Sequence, residues 1–168
     1  KILLDAFKKF SKSHPSAQLR IVNGNSPTSK NTERLIEKSG SEDKIEYLGR
    51  VSTLKLVEEY SAASAVVMPS LHEGFGLPAI EAMSCGAPLI ATTSGALPEL
   101  TSSNSGILVS PNDADELVEA METISENPRK REKMGKEGRK RIENKYTWRK
   151  AAKKVTEVYE EVISASNN

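Results

Sequence analysis

The chain has 168 residues, 37% hydrophobic and 28% charged, and its 24 Lys and Arg against 23 Asp and Glu leave a formal charge of +1. That length and mixture fit one domain with a core large enough to fold without metal or disulfide, and they exclude collagenous, low-complexity and disordered classes. Cys85 is the only cysteine, which excludes an internal disulfide and a cysteine-based zinc cage, and the two histidines, His14 and His72, stand far apart. No apolar run reaches the roughly 20 residues of a membrane span, no charged-then-apolar leader is visible, and a near-neutral charge gives no pull toward nucleic acid. A reducing, cytoplasmic setting is the expectation.

Two periods alternate along the chain. Lys1–Ser13 places Leu3, Leu4, Phe7 and Phe10 on one side of a helix that His14-Pro15 ends. Short β-rich runs follow at Leu19–Val22, Ile45–Leu48, Ala65–Met68, Pro88–Ala91 and Ile107–Val109. Between them, helices fit Asn31–Ser39, Thr53–Ala63 and Pro78 to about Ser84. Asp113 with Glu116 reads as a capping-box-like start for a helix carrying Ala114, Leu117, Val118, Met121 and Ile124. A second long helix follows Asn127-Pro128. Thr147 then caps a last one, whose Trp148, Ala152, Val155, Tyr159 and Val162 recur at spacings of 4, 3, 4 and 3. Short strands alternating with helices specify an α/β, doubly wound, Rossmann-like parallel sheet covered on both faces. Ligands of such sheets bind beyond the carboxyl ends of the strands, which directs attention to Asn23–Pro27, Gly49–Ser52, Pro69–Leu77, Thr92–Pro98 and Ser110–Asn112.

Charge is unevenly spread. Residues 112–127 hold six acids and no Lys or Arg, whereas residues 129–154 hold thirteen basic residues against three acids. The basic block is of the kind that meets anionic lipid or a phosphorylated partner. It is equally the kind found on solvated helix faces of opposite sign that lie near each other and partly neutralise.

The chemistry concentrates in the segment from Pro69 to Pro88, which follows the third strand and opens a helix. Gly74 and Gly76 admit backbone conformations closed to other residues and let a ligand approach the main chain. Pro78 suits the first helical position and Leu77 has no capping side chain, so the first amides and the positive helix end form an anion site. Alternatively, the glycines only make a tight turn. Gly74-Phe-Gly-Leu-Pro-Ala79 also fits the dinucleotide pattern G-x-G-x-x-A, but Thr92-Thr-Ser94 stands where that motif needs a ribose-binding acid, so a NAD enzyme is disfavoured. Glu73 and Glu81 bracket the turn at an E-x7-E spacing. A carboxylate there can accept from sugar or ribose hydroxyls, and it can also oppose positive charge developing at an anomeric carbon. The plainer readings are an incidental loop acid at Glu73 and a favourable dipole contact at Glu81.

These residues resemble the retaining nucleotide-sugar glycosyltransferases of family 4, also called group 1, whose GT-B architecture sets two Rossmann-like domains face to face. The resemblance covers nearly all of residues 1–168 and is to the C-terminal, donor-binding half. It is carried in the family's order by Leu3-Leu-Asp-Ala-Phe, Leu48-Gly-Arg-Val-Ser, Pro69-Ser…Glu-Gly-Phe-Gly-Leu-Pro…Glu-Ala-Met-Ser-Cys-Gly, Gly95-Ala-Leu-Pro-Glu and Tyr146-Thr-Trp. It implies that Glu73 lies against the donor sugar at the reaction centre, as a stabiliser of charge rather than a nucleophile, and that Glu81 hydrogen-bonds the ribose. It further implies that Gly74, Phe75, Gly76 and Leu77 contact sugar and diphosphate through their amides, and that Arg50 and Val51 pass the base. Gly24 and Asn25 match a turn after the first strand, where Asn23-Gly-Asn25 departs from the family's Gly-x-Gly.

Members of the family resemble one another in requiring neither a metal nor any other cofactor. His72 is read as a loop-packing residue, with donation to a sugar hydroxyl as the less favoured alternative, Glu99 as fixing a loop beside the pocket, and Cys85 as a small apolar group behind it. The implied partners are a nucleotide-sugar donor, an N-terminal acceptor domain not contained in this chain and, through the basic block, a peripheral contact with the inner membrane surface; nucleic acid is not among them. The family's donor half opens with a strand bearing an Arg and a Lys that clamp the diphosphate, and Lys1 falls about three positions after that lysine. The resemblance therefore implies a sheet with a central gap, a last helix with an exposed apolar stripe, and little or no transferase activity for this polypeptide alone. Half of a GT-B-shaped nucleotide-sugar epimerase and a non-catalytic nucleotide-binding module are the alternatives.

Overall fold

The computed structural model describes residues 1–23 and 29–166. In chain order the elements are α1 (Ile2–Ser13), β1 (Leu19–Val22), α2 (Ser29–Glu37), β2 (Ile45–Gly49), α3 (Thr53–Ala62), β3 (Val66–Met68), α4 (Leu77–Ser84), β4 (Leu89–Thr92), α5 (Leu97–Leu100), β5 (Gly106–Val109), α6 (Ala114–Glu126), α7 (Pro128–Lys145) and α8 (Trp148–Ser166). All five expected strands form within a residue or two of their expected bounds, and every pairing is parallel. They do not make one sheet. β1 pairs with β2, β3–β4–β5 form a second ladder, and no ladder joins the two among the described residues. The expected central gap is present.

One apolar core underlies both ladders. It unites Leu4, Phe7 and Phe10 of α1, Ile45 of β2, Ile90 of β4, Val109 of β5 and Leu117, Met121 and Ile124 of α6. The other face of the larger ladder packs Leu89 and Ala91 against Ile80 and Met83 of α4, Leu97 and Leu100 of α5 and Ile142 of α7. β4 therefore sends alternate side chains to opposite cores, as the period of two requires, and all four of its residues are buried. Each large side chain so buried contributes on the order of 1.5–3 kcal/mol.

Caps set the helix starts. Asp113 accepts from the amides of Asp115 and Glu116, both at 2.9 Å, Asn127 from Lys130 at 3.0 Å, and Ser52 from Lys55 at 3.2 Å. The reciprocal half of the capping box is absent, because the Glu116 carboxylate accepts instead from the amide and hydroxyl of Ser110 at 2.5 and 3.1 Å. The acidic α6 and the basic α7 pack together, yet among the described residues no ion pair joins them. Asp115 pairs with Lys9 of α1 at 2.6 Å, and α7 is laced internally by Lys136–Glu132 and Arg139–Glu143. The two helices of opposite sign thus lie near each other as expected, with the closest ion pairs of α7 formed at spacings of four residues within it. The apolar stripe of α8 is exposed as expected, with Trp148 at 81% and Tyr159 at 65%. No helix among the described residues is long and apolar enough to cross a membrane.

Candidate donor-binding site

β3 runs out into the loop that carries the motif. The Thr92 hydroxyl at the end of β4 donates to the Ser70 carbonyl at 2.5 Å and ties the two strand ends together. Glu73, half-buried, folds back over the glycine turn. Its carboxylate accepts from the Gly76 amide at 3.2 Å and from the Ser70 hydroxyl at 3.4 Å. It is thus a brace of the loop rather than an incidental acid.

Gly76, at φ +82°, is the cap of α4 and offers no side chain to the helix's first amides. The helix opens on Leu77, one residue before the expected start, and Pro78 in second place has no N–H. With the Gly76 amide held by Glu73 and Ala79 fully buried, Leu77 is the exposed residue whose amide stands at the positive helix end.

The two motif glycines are not equivalent. Gly74 keeps an ordinary backbone, and a Cβ there would meet nothing within 4 Å. The glycine that the loop cannot replace lies elsewhere. Gly95, at φ +55°, brings the turn after β4 so close that a Cβ would sit 1.8 Å from the Glu73 carbonyl oxygen. The sequence placed Gly95 in a matching segment without a role; its contact is backbone to backbone, which no side-chain pattern announces. The following helix α5 was read as loop. At four residues it is too short to show a period, and Leu97 and Leu100 are buried because they close the core beneath Gly76.

Glu81 lies one turn into α4 and is exposed. Tyr60, from the last turn of α3, stands near Glu81 where α3 packs on α4. Burial, with the nearby negative charge of Glu81 and the Cys85 thiol adding to it, pushes the Tyr60 phenol up to about 12. Cys85 is half-buried one turn beyond Glu81 on the same side of α4, in keeping with a packing group. Phe75 and Leu77 are exposed, at 59% and 46%, and leave an apolar rim beside the glycine turn.

Arg50, exposed, and Val51, half-buried, follow β2 and lead into the Ser52 cap of α3. They stand at the carboxyl end of the smaller ladder, in the turn before α3 and not in the glycine loop. Gly24 and Asn25 lie outside the described residues. His72 is exposed, so its expected packing role is corrected: the loop turns it outward to solvent. Glu99 acts through its backbone, its carbonyl accepting from Arg141 at 2.7 Å and from the Tyr146 hydroxyl at 3.2 Å. It also lines an open groove of about 670 Å³ with Arg141, Lys150 and Lys154, away from both motif carboxylates. No group of three His, Cys, Asp or Glu among the described residues is placed to hold a metal ion.

Comparison with known proteins gives this geometry its context. The structure superposes on sucrose-phosphate synthase from Thermosynechococcus elongatus with a TM-score of 0.86 and 31% identity, over 96% of this chain and 42% of that one. A C-terminal domain of a group 1 family glycosyl transferase from Francisella tularensis gives 0.77 and 26%, over 88% of this chain and 78% of the other. Anabaena HepE, solved with UDP-glucose, shares the GT-B fold at a TM-score of 0.84, with 23% identity over 95% of this chain and 44% of that one. Among curated proteins, a mannosyltransferase from Mycolicibacterium hassiacum is 36% identical over 79% of this chain and 33% of its own length. A GDP-mannose-dependent phosphatidylinositol monomannoside mannosyltransferase from Corynebacterium glutamicum is 30% identical over 93% and 42%. The chain therefore spans only a third to two fifths of these two relatives. With the family model for group 1 glycosyl transferases matching residues 1–141 on top of these likenesses, the chain belongs to that family.

Proposed function

We propose that this chain is the C-terminal, donor-binding half of a retaining glycosyltransferase of family 4 that moves a sugar from a nucleotide diphosphate sugar without a metal ion. The observation that carries the reading is the bare start of α4, flanked by Glu73 at the turn and Glu81 one turn in. The diphosphate would lie on the turn from Gly74 to Leu77 at the start of α4, where the helix dipole opposes its charge. Glu73, already anchored by Ser70 and Gly76, would stand against the sugar and stabilise positive charge at the anomeric carbon as the nucleotide leaves. Glu81 would accept from the ribose hydroxyls, and Arg50 and Val51 would pass the base.

The GDP-mannose dependence of one relative supports a nucleotide-sugar donor. The length of the relatives beyond the matched region supports an acceptor domain outside this chain. The free thiol of Cys85 suits a cytoplasmic setting.

Titrating UDP, GDP and ADP calorimetrically into the chain tests the reading. At least one is expected to bind, and Glu81→Ala is expected to weaken it about tenfold, the effect of losing a hydrogen bond to a charged group. If none of the three binds, or the alanine variant binds as tightly as the parent, the donor site is not here.

A further inference from the structure

The chain carries a formal charge of only +1, yet cationic side chains converge on the open groove of about 670 Å³ that adjoins α5, the end of α7 and the start of α8. Arg141 and Lys145 come from α7, and Lys150, Lys153 and Lys154 from α8. The acids that line it are Glu99 and Glu157, so the lining keeps a clear positive excess. This is where the fold gathers part of the basic block of residues 129–154.

These cations are held in place without being neutralised. Arg141 donates to the carbonyls of Leu100 and Glu99, both at 2.7 Å, and the Tyr146 hydroxyl donates to the same Glu99 carbonyl at 3.2 Å. The Lys150 ammonium donates to the Asn144 carbonyl. A carbonyl fixes a donor but leaves its charge intact, and a guanidinium or an ammonium so held still has N–H donors to spare. Among the described residues, Lys153 is the one groove cation in an ion pair, with Glu157 at 3.6 Å in the same helix. Both of those side chains are exposed, and such a pair contributes little.

We propose that this groove is a binding site for a phosphate-bearing anion, seated between the last turn of α7 and the first turns of α8. Phosphate oxygens accept from several donors at once, and Arg and Lys are their usual ligands. Because Arg141 and Lys150 are already tethered to main chain, little of their freedom is left to lose when the anion arrives. The volume takes a pyrophosphate or the phosphodiester of a lipid headgroup. The inference is independent of the donor-site reading, since neither Glu73 nor Glu81 lines the groove.

Trp148, the chain's only tryptophan, opens α8 beside the groove and serves as a local reporter. Inorganic pyrophosphate and phosphatidylglycerol vesicles are titrated separately into the chain, followed by Trp148 emission and by calorimetry, with phosphatidylcholine vesicles as the uncharged control. At least one anion is expected to bind saturably, and more weakly as salt screens it. Lys145→Gln with Lys154→Gln takes one cation from each helix and is expected to weaken binding about fivefold, the loss of two exposed charge contacts. Lys130→Gln with Lys133→Gln removes the same charge from the start of α7, outside the groove, and is expected to bind as the parent does. Saturation by pyrophosphate assigns a soluble anion, and binding confined to the anionic vesicles assigns a lipid headgroup. Absence of binding to both overturns the proposal. So does undiminished binding by the groove variant, or an equal loss in the two double variants, which would mark diffuse surface charge in place of a site.

Discussion

Gly95→Ala is expected to be the most damaging single substitution around the motif. Two costs add. At φ +55° a side chain carries a left-handed penalty of roughly 1–2 kcal/mol. The new methyl would also lie 1.8 Å from the Glu73 carbonyl oxygen and 2.8 Å from its carbon. Both are backbone atoms, so no rotamer change relieves the overlap and the two loops must part. Overpacking of this kind costs about 1–3 kcal/mol, and the sum of roughly 3 kcal/mol corresponds to a fall in the thermal midpoint of about 10 °C for a chain of this size. Because the displaced group is Glu73, whose carboxylate braces Gly76, nucleotide affinity should fall with it. Gly74→Ala is the contrast, since a methyl there meets nothing within 4 Å. Melting both variants decides the matter: comparable midpoints would show that the β4 turn does not support the loop as described.

The second large effect is expected at Arg141. From α7 its Nε donates to the Leu100 carbonyl and its terminal nitrogen to the Glu99 carbonyl, both at 2.7 Å. These are the last carbonyls of α5, a helix of a single turn, and such a helix is held by tertiary contacts rather than by its own hydrogen bonds. Charge-assisted bonds of this kind are worth about 1.5–3 kcal/mol each when shielded, and less where solvent reaches them. Arg141→Ala should therefore cost about 2 kcal/mol in chemical denaturation. Lysine should restore only part of it, because a single ammonium lacks the fork that spans two carbonyls. Full rescue by lysine would mean that charge, not geometry, is what α5 needs. Since α5 follows directly on the Gly95 turn, loss of the clamp is expected to loosen Glu73 from the far side.

Much of this architecture was legible in the sequence because it rests on periodic burial. β4 could be read from Pro88–Ala91 because a run of small and branched apolar residues has few other uses, and the start of α6 because Asp113 is a capping residue followed by an apolar stripe. The Glu73–Glu81 motif was legible because its spacing straddles a glycine turn.

What escaped was tertiary. Tyr60 reads as one more residue of an amphipathic helix, and it comes near Glu81 only because α3 packs on α4. Gly95 acts through a backbone approach across two loops, and α5 is too short for a period to show. Gly74 and Gly76 read alike for a related reason: composition shows which residues can adopt a left-handed backbone, and only the path of the chain shows that Gly76 does.

The division between β1–β2 and β3–β4–β5 bears on how the molecule breathes. Ladder hydrogen bonds that stop at the division make each group of strands its own unit of amide protection, joined by side chains rather than by main chain. Deuterium should enter β1 and β2 through partial openings that leave β4, buried on both faces, closed, and the protected fraction should separate into two classes along that line.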